Sequence, residues 1–264
     1  MNIRPKLIIF LLCISLVIVF TSFVKRKIIE DDIDPNFHVY LLIGQSNMAG
    51  RGLIDKTKSR VDNRIEMLDE NNNWIPAKDP IHFDRPSIVG VGPGLSFAKS
   101  ILKNNHKIRI GLVPAALGGS PISAWTDGLA YTGVFPYEDA IKRTRLAMRR
   151  GVIKGIIWHQ GESDCNDKAA MTYLTKLVEL VKKLRIDIGD PNLPFVAGEI
   201  GYFFKDNNLI NKELSTLSIS VTNAAVVSAR GLQHKGDSTH FDTKSAVILG
   251  KRYAIAMNGL QTQR

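Results

Sequence analysis

Cysteine is nearly absent from this chain. Of two in 264 residues, Cys13 lies in an apolar run and Cys165 stands alone, so the folded part has no internal disulfide to draw on. A domain of roughly 230 residues buries enough surface to stand without one. No Asn-x-Ser/Thr sequon occurs, which fits a bacterial envelope better than a eukaryotic secretory route. Neither G-x-G-x-x-G nor G-x-x-x-x-G-K-[ST] is present, so a flavodoxin-like nucleotide or phosphate binder would lack its phosphate cradle. Lys/Arg-rich runs are missing as well. The formal charge is +10, but half of it comes from Arg4, Lys6, Lys25, Arg26 and Lys27, with no acid among residues 1–27. The rest is spread thinly and shows no basic stripe for nucleic acid. Glycine and proline are scattered, and no low-complexity segment or internal repeat appears.

What is there begins with residues 7–24, LIIFLLCISLVIVFTSFV, which carry no charge. Basic residues ahead of such a run mark a signal sequence, and about 18 apolar residues are enough to span a bilayer. The run enters Lys25-Arg26-Lys27 without a small-x-small cleavage site, so an uncleaved signal anchor is favoured over a cleaved signal peptide. Residues 1–29 are accordingly expected to be a signal peptide or anchor that places the remainder, 30–264, outside the cytoplasm. That segment is the only expected membrane contact.

Beyond an acidic linker at 30–35, apolar runs of strand length alternate with amphipathic stretches. Strands are expected at 37–43, 108–113, 153–158, 194–200 and 224–229. Helices are expected at 95–102, 137–148, 169–184, 209–219 and 245–257. Continuous apolar strands alternating with helices predict an α/β fold: a mainly parallel five-stranded sheet in a three-layer αβα, flavodoxin-like arrangement, preceded by the N-terminal hydrophobic helix. The stretch 51–92 fits no element and reads as an irregular excursion.

Ligands in such sheets bind at the carboxyl ends of the strands. The first strand ends in Gly44-Gln45-Ser46-Asn47-Met48-Ala49-Gly50, where Ser46 is placed either as a nucleophile or as a helix N-cap. The second runs into Gly118-Gly119-Ser120, a tight turn able to offer backbone N–H groups. The third ends in Trp158-His159-Gln160-Gly161-Glu162-Ser163-Asp164. Gln160 has an amide suited to a developing oxyanion, and Glu162 could hold the loop or contact substrate. After the fifth strand comes Asp237-x-x-His240, whose spacing lets a carboxylate orient an imidazole; a surface turn or a metal pair would show the same spacing. His159 is the other histidine placed in a motif.

Taken together and in this order, these four blocks resemble the SGNH (GDSL-like) hydrolase superfamily. They are most similar to its sialate O-acetylesterase and acetylxylan esterase branch, carbohydrate esterase family 6. The resemblance implies a serine esterase that removes acetyl groups from carbohydrates through an acyl-enzyme, without metal or cofactor. It implies Ser46 as nucleophile, His240 as general base and Asp237 as its orienting partner, with an oxyanion hole from Ser46, Gly119 and Gln160. Gln45, Asn47, Gly118, Glu162 and Trp125 are expected to contact substrate or hold the loops, and Trp125 and Trp158 are candidates for stacking on a sugar ring. Gln45 and the His159–Glu162 run depart from the wider superfamily and are shared with the carbohydrate-esterase branch. A monomer acting on acetylated xylan, another acetylated glycan or O-acetyl sialic acid is expected. A non-catalytic carbohydrate-binding relative of the same fold is the alternative.

Overall fold

Side chains along Asp34–Gly44 (β1) alternate between two apolar layers: Phe37, Val39, Leu41 and Ile43 enter one, Tyr40 and Leu42 the other. A strand buried on both faces must be covered on both, and it lies at the centre of the sheet. The computed structural model describes residues 33–55, 57, 61–105 and 107–262. The apolar segment 7–24, the expected N-terminal helix and the 1–29 boundary lie outside the described residues. Among the described residues no helix is long and apolar enough to cross a membrane.

Two parallel strands flank β1, Arg109–Pro114 (β4) on one side and Gly151–His159 (β5) on the other. Ile65–Leu68 (β2) pairs parallel with β4, and Trp74–Pro76 (β3) closes that edge antiparallel. Phe195–Gly198 (β6) and Ala224–Val227 (β7) extend the other edge in parallel. The order is β3-β2-β4-β1-β5-β6-β7. The sheet therefore has seven strands where five were expected. The two additional strands lie inside the stretch read as irregular; at four and three residues they are too short for a periodicity signal.

The helices are Ser46–Ala49 (α1), Gly94–Asn104 (α2), Ser123–Thr126 (α3), Pro136–Ala147 (α4), Asp167–Ile188 (α5), Asn207–Leu214 (α6), Leu217–Ser220 (α7) and Thr243–Thr262 (α8). Apolar residues of α2 and α8 join Tyr40 and Leu42 in one layer, and those of α4 and α5 join Phe37 and Val39 in the other. This is the expected three-layer order. Helix α5 is defined at both ends: the Asn166 side chain accepts from Ala169 N–H at 3.0 Å, and Gly189 ends it in the left-handed region at φ 86°. The single helix expected over 209–219 is two helices. At the break, the Ser215 and Thr216 hydroxyls donate back to the carbonyls of Lys212 and Glu213 at 2.6 and 2.8 Å, competing with helix continuation.

From β1 the chain crosses to one edge of the sheet for β2 and β3, comes back to lie beside β1 as β4, and then moves to the other side of β1 for β5. The reversal makes the carboxyl ends of β4, β1 and β5 a topological switch point, the usual position of a ligand crevice.

Helices α2 and α8 pack closely at Gly250. A Cβ there would stand 2.0 Å from Ser96 Oγ and 2.3 Å from the Pro93 carbonyl oxygen. Replacing a helical glycine by alanine ordinarily gains up to about 1 kcal/mol in propensity. Overpacking costs about 1–3 kcal/mol, and a backbone oxygen cannot swing aside. Gly250→Ala should therefore lower the unfolding free energy by about 1–2 kcal/mol; a higher melting temperature would show that the helices separate freely.

Candidate functional site

The first motif turns where β1 meets β5. Gly44 has φ +128°, and a Cβ on it would lie 2.1 Å from the His159 carbonyl oxygen, so only glycine fits. The chain is pinned on both sides: Gln45 N–H donates to His159 O at 2.8 Å, and Leu117 N–H to Gly44 O at 3.0 Å. Ser46 then opens α1 and is almost fully buried, with its hydroxyl facing the carboxyl ends of the strands.

That hydroxyl donates to His240 Nε2 at 3.0 Å, and His240 Nδ1–H donates to Asp237 Oδ2 at 2.7 Å. Asp237 Oδ1 meanwhile accepts the backbone N–H groups of His240 and Thr239 at 2.8 and 3.0 Å. Partial burial works against the Asp237 charge, but these donors outweigh it and hold the carboxyl well below the usual range. His240 is lowered from 6.5 by burial, opposed by Asp237 and assisted by Arg51 and Lys235. Its imidazole thus stays uncharged, with Nε2 able to take a proton, to lower pH than a free one.

Asn47 couples this pair of loops. Its Oδ1 accepts Phe241 N–H at 3.0 Å, and its Nδ2 donates to Thr239 O at 3.0 Å and to Glu162. Glu162 is buried at the back of the cleft, and its Oε2 has no hydrogen-bond partner among the described residues. The second glycine turn lies opposite. Gly119 has φ +82° and its carbonyl accepts the Ser163 hydroxyl at 2.8 Å. No acceptor for the N–H of Ser46 or Gly119 is found among the described residues. Both residues line a cleft of about 260 Å³ together with His240, Glu162 and Phe204.

Three expected contacts stand elsewhere. Gln160 is fully buried, and its amide is spent on Asp164, on Gln45 Oε1 at 3.2 Å and on Ser120 O at 3.2 Å. It holds the loops from beneath and does not face the cleft, so it is not placed to donate to an oxyanion. Burial has already committed its hydrogens. Trp125 and Trp158 are likewise fully buried, packed edge to face at 5.4 Å, with their indole N–H groups bonded to Ser120 and Tyr173. Neither can stack on a sugar. Gly118 donates to Asp84 at 2.9 Å, and Gln45 accepts from Gly161 and Ser163 N–H, so both brace the turns, although they also line the cleft. His159 faces Tyr253, with Nδ1 at 3.0 Å from the hydroxyl, and burial lowers its pKa to about 3. It is no rival to His240.

Sequence reasoning missed the Arg51–Asp84 ion pair, buried on both sides at 2.7 Å, with Arg51 also donating to Gly50 O at 2.8 Å. It missed Arg85 too, whose guanidinium lines the cleft beside Gly118 without a carboxylate partner among the described residues. Arg51 directly follows the first motif, which was the one available signal. Among the described residues no group of three or more His, Cys, Asp or Glu side chains is arranged to hold a metal ion.

Burial pushes the Glu162 carboxyl up to about 7, against the opposing hydrogen bond from Asn47. A group that binds its proton more tightly folded than unfolded costs stability as pH rises from its unfolded value near 4.5 towards 7, with no further cost above. Glu162→Gln keeps an acceptor for Asn47 and carries no charge. Its stability relative to the parent should rise across that window by up to about 3 kcal/mol and then level off. Denaturant unfolding at pH 5 and pH 8 measures this; identical pH dependence in both proteins would refute it.

Residues 36–259 match the family model described as "carbohydrate esterase, sialic acid-specific acetylesterase". A probable carbohydrate esterase of Arabidopsis thaliana is 34% identical over 253 residues, covering 86% of this chain and 92% of the relative. A solved Arabidopsis thaliana structure superposes with a TM-score of 0.77 at 32% identity, covering 86% of this chain and 99% of that one. NanS gives a TM-score of 0.70 at 20% identity over 88% of this chain and all of the other, a likeness of fold. The chain belongs to the carbohydrate esterases of the sialic acid-specific acetylesterase family, which are carboxylic ester hydrolases with the SGNH fold.

Proposed function

We propose that the chain removes O-acetyl groups from carbohydrates through a Ser46–His240–Asp237 triad. The observation that carries the reading is the unbroken chain from Ser46 Oγ through His240 to Asp237 at a cleft that also holds two unengaged backbone N–H groups. Ser46 Oγ attacks the acetyl carbonyl carbon while His240 Nε2 takes the hydroxyl proton. Asp237 stabilises the imidazolium that results. Negative charge gathers on the carbonyl oxygen, where the N–H groups of Ser46 and Gly119 are suited to receive it. As the tetrahedral intermediate collapses, the ester C–O bond breaks and His240 returns the proton to the departing sugar oxygen. Acetyl-Ser46 is then attacked by a water that gives its proton to His240, and acetate leaves as Ser46 regains its hydrogen.

The cleft favours an acidic sugar. Arg85 is exposed there, its guanidinium donating to the Gly118 carbonyl oxygen but without a carboxylate partner among the described residues, while the neighbouring Arg51 is neutralised by Asp84. A guanidinium binds carboxylate through a planar fork of donors, which suits O-acetyl sialic acid better than neutral acetylated xylan. On the strength of residues 7–24, we place the activity outside the cytoplasm.

Two measurements test this reading. Ser46→Ala should reduce hydrolysis of p-nitrophenyl acetate by about 10⁴-fold or more while the protein stays folded, the usual cost of losing a triad member. Near-normal turnover by a folded Ser46→Ala protein would remove Ser46 from the chemistry. Arg85→Ala should raise KM for O-acetyl sialic acid roughly tenfold, the share of one exposed charge-assisted contact, and leave KM for p-nitrophenyl acetate unchanged. An equal effect on both esters would mean that Arg85 does not read the sugar's charge.

A further inference from the structure

The loop that carries Asp237 and His240 is exposed over residues 235–238 and contributes nothing to the apolar layers. Hydrogen bonds must therefore set its shape. Ser238 sits at φ +55°, a left-handed conformation that an unsupported serine leaves readily, and Gly236 at φ +116° is a freely rotating hinge on the other side of Asp237. One side chain supports both positions. His234 Nδ1 accepts the N–H of Gly236 at 3.0 Å and the N–H of Ser238 at 3.1 Å. His234 is itself fixed: it bridges Phe241 in antiparallel fashion, and its ring packs on Phe203 at 5.3 Å. The neighbouring Lys235 N–H donates to His240 O at 2.9 Å, closing the loop.

We propose that His234 is a positioning residue for the triad, its Nδ1 gripping the backbone on both sides of Asp237 so that the carboxylate meets His240. Two N–H groups pointing at one ring nitrogen require a lone pair there, so the ring proton sits on Nε2. The consequence is local. Without the acceptor, the 236–238 turn relaxes, Asp237 and His240 shift relative to Ser46, and the core packing is untouched. The proposal rests on the triad reading above, and its test separates the two. Activity persisting in Ser46→Ala would end that reading, whereas the ring tautomer and the loop geometry do not depend on it.

The test uses the full chain with p-nitrophenyl acetate. His234→Asn keeps an acceptor oxygen where Nδ1 stands. His234→Gln moves it a bond further out, and His234→Leu removes it. The Leu variant should lose about 10- to 100-fold in kcat, the range expected when a reacting group is left about 1 Å out of place, with KM and melting temperature little changed. Asn should recover most of the loss and Gln little. In ¹⁵N NMR of histidine-labelled parent protein, the His234 resonance, assigned by its absence from the Asn variant, should show an unprotonated Nδ1 and a protonated Nε2. Full kcat in the Leu variant, Asn no better than Gln, a loss seen only in melting temperature, or a protonated Nδ1 would each overturn the proposal. If the Leu variant fails to fold, the Asn–Gln comparison and the parent spectrum still decide it.

Discussion

The site depends on one amide, that of Asn47. Its two ends grip the backbone at Thr239 and Phe241, on either side of His240, and it also donates to Glu162. Because Asn47 is next to Ser46 in α1, the same side chain that fixes the His240 loop to the domain fixes it at a set distance from Ser46. The oxyanion side has its own brace. Asp84 ties Gly118 to Arg51, and Arg51 ties back to the Gly50 carbonyl at the end of the nucleophile's own turn. Two polar clamps, each reaching back to the 44–51 segment, hold the opposing walls of one cleft.

Burial sorts the ionisable groups of this region into two kinds. Asp237 is solvated and surrounded by donors, so it keeps its charge, the charge that the proposed mechanism sets against a protonated His240. Glu162 and His159 lie deeper, where a charge is costly, and both are driven towards their neutral forms. They stand 3.9 Å apart, each with an unpartnered atom facing the interior. In sequence the two share one motif and look equally reactive; in the fold they support the loop, and the proposed proton transfer is left to the half-buried His240.

The strands that build the centre of the sheet were legible because each is a mainly apolar segment of five or more residues between turn signals. β2 and β3 were not, because their seven residues are surrounded by polar sequence; β2 is defined by pairing with β4, a contact more than forty residues away, and β3 by pairing with β2. At the site, Ser46, Asp237 and His240 were legible as motifs, and the structure brings them into hydrogen-bond contact. Gln160 and Trp125 were misread for a common reason. Residue type advertises what a side chain can do, an amide to donate and a ring to stack, but not which way it faces, and both face inward. The Arg51–Asp84 pair had no pattern to find: it joins residues 33 apart across a stretch without periodicity.

Ser46 and His240, which meet at the cleft, are separated by 194 residues of chain. Ser46 leaves the ribosome early, whereas His240 arrives with the last helix still to be made, and domains fold in step with synthesis only as far as their partners have emerged. For most of elongation the chain therefore carries the Ser46 turn without its hydrogen-bond partner. If the proposed triad does the chemistry, hydrolytic competence belongs to the finished sheet, and turnover doubles as a reporter of folding: an active molecule has brought the loop after β7 against the turn after β1.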